Sequence, residues 1–208
     1  MEFCLETVKL ECLPPRSICQ KAGCTKPAIY DTPFCWDHVP DRVDLRNKIL
    51  SAARQPGGVA GKCLAGIDFS RCNLAGANLS FSDISEADFR EANLQCARLD
   101  HVFAEKTCFD DADLSGASLM FACLGCSSCH RTKFTGCVAE NVNFVGASLR
   151  EADFSRAHLF YSRFGKADCT GTNFRGADIE RAIFRATILR QAEFSEARGT
   201  AVFDNVIR

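Results

Sequence analysis

Ala147-Ser148-Leu149-Arg150-Glu151-Ala152-Asp153-Phe154-Ser155-Arg156-Ala157-His158-Leu159 holds three copies of one five-residue unit. Each copy places a small residue first, usually Asp, Asn or Ser second, and Leu or Phe third. Stepping by five from Leu64 to Gly199 visits 28 positions, and only Ala104, Cys129, Ala139, Cys169 and Gly199 lack Leu, Phe or Ile. Those three residue types make up about a fifth of the chain, so chance does not produce the pattern. Alanine recurs two residues before the large one, at Ala77, Ala87, Ala92, Ala97, Ala112, Ala117, Ala147, Ala152, Ala157, Ala167 and Ala177.

Neither regular element carries this period. A helix turns about 500° in five residues and smears the apolar positions around its surface. A straight strand puts positions five apart on opposite faces. A chain that turns a corner every five residues keeps every large apolar side chain inside. Four corners then close a coil of twenty residues, and successive coils stack at the inter-strand spacing of about 4.7–4.9 Å.

The A-(D/N/S)-(L/F)-x-x unit, as in Ala87-Asp88-Phe89 and Ala147-Ser148-Leu149, resembles the pentapeptide-repeat family. The resemblance covers roughly two-thirds of the chain and implies an all-β solenoid, a right-handed quadrilateral β-helix of about seven coils of four pentapeptides. The handedness and the square section come from the family; the inward and outward assignment comes from the period.

The repeat divides the chain into a short N-terminal segment over 1–18, a zinc-knuckle-like segment over 19–40, a capping helix and linker over 41–60, and the β-helix over 61–208. Asp41 is placed to cap the helix, with Val43, Leu45, Ile49, Leu50 and Ala53 as its apolar side. Gln55-Pro56-Gly57-Gly58 breaks it. Open solenoid ends expose apolar side chains and unpaired edges, so the helix is assigned as the N-terminal cap. At the other end Asp204 falls on the next apolar position and stops the repeat. The tail from Ala201 to Ile207 then either folds over the last coil or pairs with a second copy, a C-terminal homodimer of which the family offers examples.

The strongest metal signal is Cys19, Cys24, Cys35 and His38. Three thiolates and an imidazole within twenty residues suit tetrahedral Zn2+, and Cys35-Trp36-Asp37-His38 supplies two ligands from one turn. All four coordination positions are consumed, so the zinc is expected to be structural. Cys12 could replace one ligand. Cys126-Ser127-Ser128-Cys129-His130 matches the C-x-x-C-H of haem attachment, but the register puts Cys129 inside and Cys126 and His130 outside. Cys123 and Cys126, both expected outside, form at most a weak thiol pair. The remaining cysteines in small or core positions, Cys72, Cys137 and Cys169, read as small apolar fillers.

No Ser–His–Asp order, glycine-rich phosphate loop or pair of catalytic carboxylates appears, and Asp68, Asp88, Asp113, Asp153 and Asp178 follow from the repeat. The reading is therefore a non-enzymatic protein-interaction scaffold with an unknown protein partner. Some family members bind DNA gyrase by imitating duplex DNA and protect it from quinolones. That alternative is disfavoured by charge: residues 61–115 carry ten acidic and five basic side chains, but residues 116–208 carry nine acidic and twelve basic. A second alternative, nucleic-acid binding through the knuckle and the basic half, needs clustered Lys and Arg, and residues 1–60 hold eight basic against seven acidic. The formal net charge of −1 predicts no general attraction to nucleic acid or membrane. Fourteen cysteines without a recognisable signal peptide or membrane span argue for reduced thiols in a cytoplasm.

Overall fold

A computed structural model describes residues 17–208; Cys4, Cys12 and most of the 1–18 segment lie outside them. From Cys63 onward the chain pairs with itself in parallel at a spacing of twenty residues, from Cys63 with Asp83 to Asp178 with Arg198, with a bridge every five residues. This is the stacked coil the period predicts. The apolar series lies inside: Phe69, Leu94, Phe134, Phe154 and Phe174 are fully buried, and Ala104, Cys129, Ala139 and Cys169 share the interior.

The hydrogen bonds of one repeat explain its sequence. Asp153 N–H donates to Thr132 C=O of the previous coil (3.0 Å), and Phe154 N–H to Asn173 C=O of the next (2.7 Å). Arg156 N–H also reaches the next coil, at Arg175 C=O (2.9 Å), while Ala157 N–H closes the corner onto Phe154 C=O (3.1 Å). One amide is left, Ser155 N–H, and the Asp153 carboxylate accepts it at 2.9 Å. All five backbone donors are thus satisfied, as a tightly wound chain requires. That is why Asp or Asn precedes the core residue: its side-chain oxygen reaches the amide two residues on. Asn73, Asn78, Asp83, Asp88, Asn93 and Asp178 do the same.

The small position has its own logic. Where it holds Ser or Thr, the hydroxyl donates to a carbonyl at a core position: one coil earlier for Thr107 to Ile84 (2.8 Å), Thr132 to Phe109 (2.7 Å) and Thr172 to Leu149 (2.7 Å), and in the same coil for Ser127 to Leu124 (2.7 Å). These buried hydroxyls therefore leave no unpaired donor. Inside the later coils two columns of rings meet. Phe134, Phe154, Phe174 and Phe194 stack on one another, as do Phe144, Phe164 and Phe184, and the columns touch edge to face at centroid distances of 5.5–6.0 Å. Both geometries are favoured for aromatic pairs.

Helix α1 spans Arg42–Ala53, and Asp41 caps it by accepting Asp44 N–H at 2.9 Å. Leu45, Ile49 and Ala53, one face at a spacing of four, belong to the same apolar cluster as Leu64 and Ile67. Val43 is corrected: it is 61% exposed, because it lies far round the helix from that face. Beyond the helix, Val59 N–H donates to Asn78 C=O (2.9 Å) and Asn78 N–H to Ala53 C=O (3.2 Å). Gly58 sits so close to this strand that a Cβ would lie 2.3 Å from Asn78 O, and its φ is +59°.

The C-terminal expectation is also corrected. Strands β1 (Ile183–Arg185) and β2 (Val202–Asp204) pair with Phe184 opposite Phe203, a spacing of nineteen. Ile188 pairs with Ile207 at the same spacing. One residue is missing from the last turn, so Phe203 takes the core position that a strict count gives to Asp204. Its ring stacks on Phe184 at 5.0 Å. The short cut passes at Gly199, φ +87°, where a Cβ would lie 2.7 Å from the Glu180 backbone. Only glycine fits there.

Candidate metal centre and interaction surface

Cys19 and Cys24 sit on a small hairpin. Ile18 pairs antiparallel with Pro27, Cys19 N–H donates to Lys26 C=O (3.0 Å), and Cys24 N–H turns back onto Lys21 C=O (3.0 Å). Gly23, at φ +76°, makes that turn. Cys35 and His38 flank a second turn closed by His38 N–H to Cys35 C=O at 3.0 Å. The two turns face each other, and the four predicted ligand atoms lie within 4.8 Å of one another.

The spacings fit one ion. Tetrahedral zinc with Zn–S of about 2.3 Å and Zn–N of about 2.0–2.1 Å sets ligand edges of roughly 3.8 Å between sulfurs and roughly 3.5 Å between sulfur and nitrogen. Cys24 and Cys35 Sγ are 3.8 Å apart, and His38 Nδ1 lies 3.5 Å from Cys19 Sγ and 3.3 Å from Cys35 Sγ. Burial alone would push the Cys19 thiol up. The Cys35 and Lys21 amides, with the His38 and Cys35 side chains, outweigh it and bring Cys19 down to about 6. Burial raises Cys35, and the neighbouring Cys19 and Cys24 sulfurs raise it further. Crowded sulfurs of this kind are what a divalent cation relieves.

The pocket is tied both to the helix and to the first coil. Lys26 Nζ and Asp37 form a 2.5 Å ion pair, Arg42 donates to Asp37 C=O at 2.9 Å, and the Arg42 guanidinium lies 5.6 Å from the Trp36 ring centroid. Tyr30 N–H donates to Cys63 C=O (2.6 Å), and Lys62 pairs with Asp31 (2.8 Å). Ile29, fully buried, joins the apolar cluster of the coils.

Elsewhere the buried cysteines behave as fillers, while Cys96 and Cys126 are exposed. Cys129 is fully buried and burial pushes it up to about 12; Cys137 and Cys169 are raised for the same reason. Cys126 is exposed while Cys129 points inward, so the two cannot reach one haem. Cys123 is corrected: it is buried, because it sits in a column between Phe103 and Asn143, whose amide lies 3.9 Å from its sulfur. All twelve cysteines among the described residues are free thiols, and no helix among those residues is long and apolar enough to cross a membrane.

One feature is invisible at the five-residue period. The large apolar side chains exposed on the coil walls are Phe81, Phe121 and Tyr161, and all three fall in one column of the twenty-residue period. His101 lies between the first two, stacked on Phe81 at 4.7 Å and on Phe121 at 5.0 Å. Taking the outward positions in steps of twenty finds this column; taking them in steps of five mixes the four corners.

A family profile for pentapeptide repeats matches this chain in eight copies, over residues 63–90, 127–165 and 152–191. Residues 63–90 and 127–191 are pentapeptide repeats of that family. Among solved structures it is similar to HetL, a pentapeptide repeat protein involved in heterocyst differentiation regulation in the cyanobacterium Nostoc, at 22% identity over 82% of this chain and 95% of that one, with a TM-score of 0.38. It is also similar to QnrB1, a plasmid-mediated fluoroquinolone resistance protein, at 19% identity over 71% of this chain and 84% of that one, with a TM-score of 0.40. No curated protein matches the chain.

Proposed function

We propose that this pentapeptide-repeat protein is a non-enzymatic scaffold that binds another protein through the outer wall of its coils. The observation that carries the reading is the single column of exposed aromatics, Phe81, Phe121 and Tyr161. The core is complete without them, and apolar side chains held in water in one line mark a contact surface. The test is affinity capture from native lysate with the wild type and with a Phe81→Ser/Phe121→Ser variant. Proteins retained by the first and lost with the second support the reading; identical captures, or none, overturn it.

In the same proposal Cys19, Cys24, Cys35 and His38 hold a structural Zn2+. Zinc bound there supplies folding free energy and leaves no open position for a substrate. The segment over 19–40 and the helix and linker over 41–60 then form a cap on a right-handed quadrilateral β-helix of about seven coils over 61–208. The far end stays apolar, with Val202, Phe203 and Ile207 each more than 40% exposed, which suits a homodimer through the C-terminal coil.

A further inference from the structure

We infer that the corner running from Phe81 to Tyr161 docks an amphipathic α-helix of a partner protein, laid along the rod axis with Lys and Arg on its Asp100–Glu140–Glu180 side. The inference rests on the scaffold reading and specifies the surface the partner must bring.

The backbone decides between helix and strand. Every amide of the corner is already committed: Phe81, His101, Phe121, Asn141 and Tyr161 N–H donate to Asp100, Met120, Glu140, Phe160 and Glu180 C=O of the next coil, at 2.8–3.2 Å. The wall therefore offers no free edge for strand addition, and an extended peptide there would leave its own polar groups unpaired against ring edges. A helix arrives with its backbone satisfied.

The rings decide the kind of contact. Phe81, His101 and Phe121 are stacked within 6–10° of parallel, so both faces of His101 and the inner faces of Phe81 and Phe121 are spent on one another, and the ridge presents mainly ring edges. That disfavours a platform for successive nucleobases, which needs a free face for each base. Farther along, Tyr161 packs edge to face with Phe160 at 4.6 Å and carries the Arg181 guanidinium 5.2 Å from its centroid.

Area and length set the size. Phe81, Phe121 and Tyr161 are 45%, 44% and 39% exposed, which at roughly 200 Å² per aromatic side chain leaves about 250 Å² of apolar surface. That falls well short of the about 800 Å² per partner of a stable dimer face but suits one helix. Four coil spacings of about 4.8 Å span about 19 Å, the length of about thirteen helical residues.

Charge sets the orientation. The column beside the ridge reads Ser80, Asp100, Met120, Glu140, Phe160, Glu180: from Asp100 onward carboxylates two coils apart alternate with Met120 and Phe160. Asp100 accepts the Met120 amide at 3.1 Å and the Ser118 hydroxyl, and Glu180 accepts the Thr200 amide at 2.6 Å, so both are held in place. On the other flank Phe103, Cys123 and Asn143 carry no charge, Asp83 is fully buried, and Arg163 sets a half-buried cation in the coil of Tyr161. An acidic flank facing one whose accessible charge is the Arg163 cation selects a helix that is basic on one side only.

The test uses the full chain and two synthetic amphipathic helices of about eighteen residues that share a Leu seam, one flanked by Lys and one by Glu, read by fluorescence anisotropy. The Lys-flanked peptide is expected to bind at least tenfold more tightly than its twin. Phe81→Ser/Phe121→Ser should weaken it at least tenfold, and Glu140→Lys/Glu180→Lys, which leaves the ridge intact, should invert the preference. Equal binding of the two peptides, binding of neither, or indifference to both variants overturns the inference. Lysate capture that still depends on Phe81 and Phe121 would then leave the scaffold standing without the helix; capture that does not would remove both.

Discussion

Stripping the metal should release residues 17–40 while the coils stay folded. Within that segment the buried apolar side chains are few: Ile29 is fully buried, with Ala28, Cys19 and Cys35 beside it. Burying Ile29 contributes about 2–3 kcal/mol. Fixing one residue's backbone costs about 1–2 kcal/mol, so this burial offsets the ordering of only a few residues. Packing alone cannot hold the segment, whereas zinc in small Cys/His sites contributes about 10–16 kcal/mol. The assay is hydrogen exchange followed by mass spectrometry, before and after verified removal of one equivalent of zinc by a chelator. The amides of Ala28, Ile29 and Tyr30, bonded to Ser17, Phe34 and Cys63 C=O, should lose protection. Those of Phe134 and Phe154, bonded to Asp153 and Asn173 C=O, should keep theirs. Purified protein without bound metal, or unchanged protection at Tyr30 after its removal, would refute the reasoning.

The same geometry gives four more outcomes. Phe154→Ala, which opens a cavity between Phe134 and Phe174, should cost about 3–5 kcal/mol in denaturant unfolding. Gly199→Ala should strip exchange protection from the Ile207 amide, bonded to Thr187 C=O at 2.9 Å, and leave earlier coils intact, because its Cβ meets Glu180. Phe203→Ser should convert a dimer into a monomer in light scattering if the exposed end is the dimer contact. Acid should act through the repeat carboxylates. The Arg90 side chain holds Asp88 below the usual carboxylate range; burial would raise Asp153 and Asp168, but hydrogen bonds from Ser155 and Thr170 outweigh it and lower both. A depressed folded pKa means stability present above the unfolded value and lost as pH falls through the folded one. Melting temperature should therefore be level at neutral pH and decline once pH drops below about 4.

What could be read from the sequence tracks what is periodic. The five-residue step placed Phe69 and Phe154 inside, and the clustering of Cys19, Cys24, Cys35 and His38 was legible because Cys35 and His38 come from one turn. Asp41 was legible as a cap by its position alone. The misses are places where the third dimension breaks the count. Phe203 ends the core column, stacked on Phe184 but open on its outer side, because the last turn drops one residue at Gly199, and no pattern announces a deletion before the partner strand is seen. Cys123 looked outward by register but is covered by its neighbours at 103 and 143. Val43 is apolar and lies off the buried face of its helix. The Phe81–His101–Phe121 stack was present at a spacing of twenty, the one period that matters for lateral neighbours and the one a five-residue reading hides.

The measurement that bears most directly on the central claim is photo-crosslinking in cells, with a benzophenone side chain placed at position 121 in one version and at position 151 in another. Position 151 lies in the diagonally opposite corner column, with Glu91 and Arg131, and is exposed. The scaffold account predicts discrete protein adducts from 121 and none from 151. Adducts from neither, or the same set from both, would contradict it.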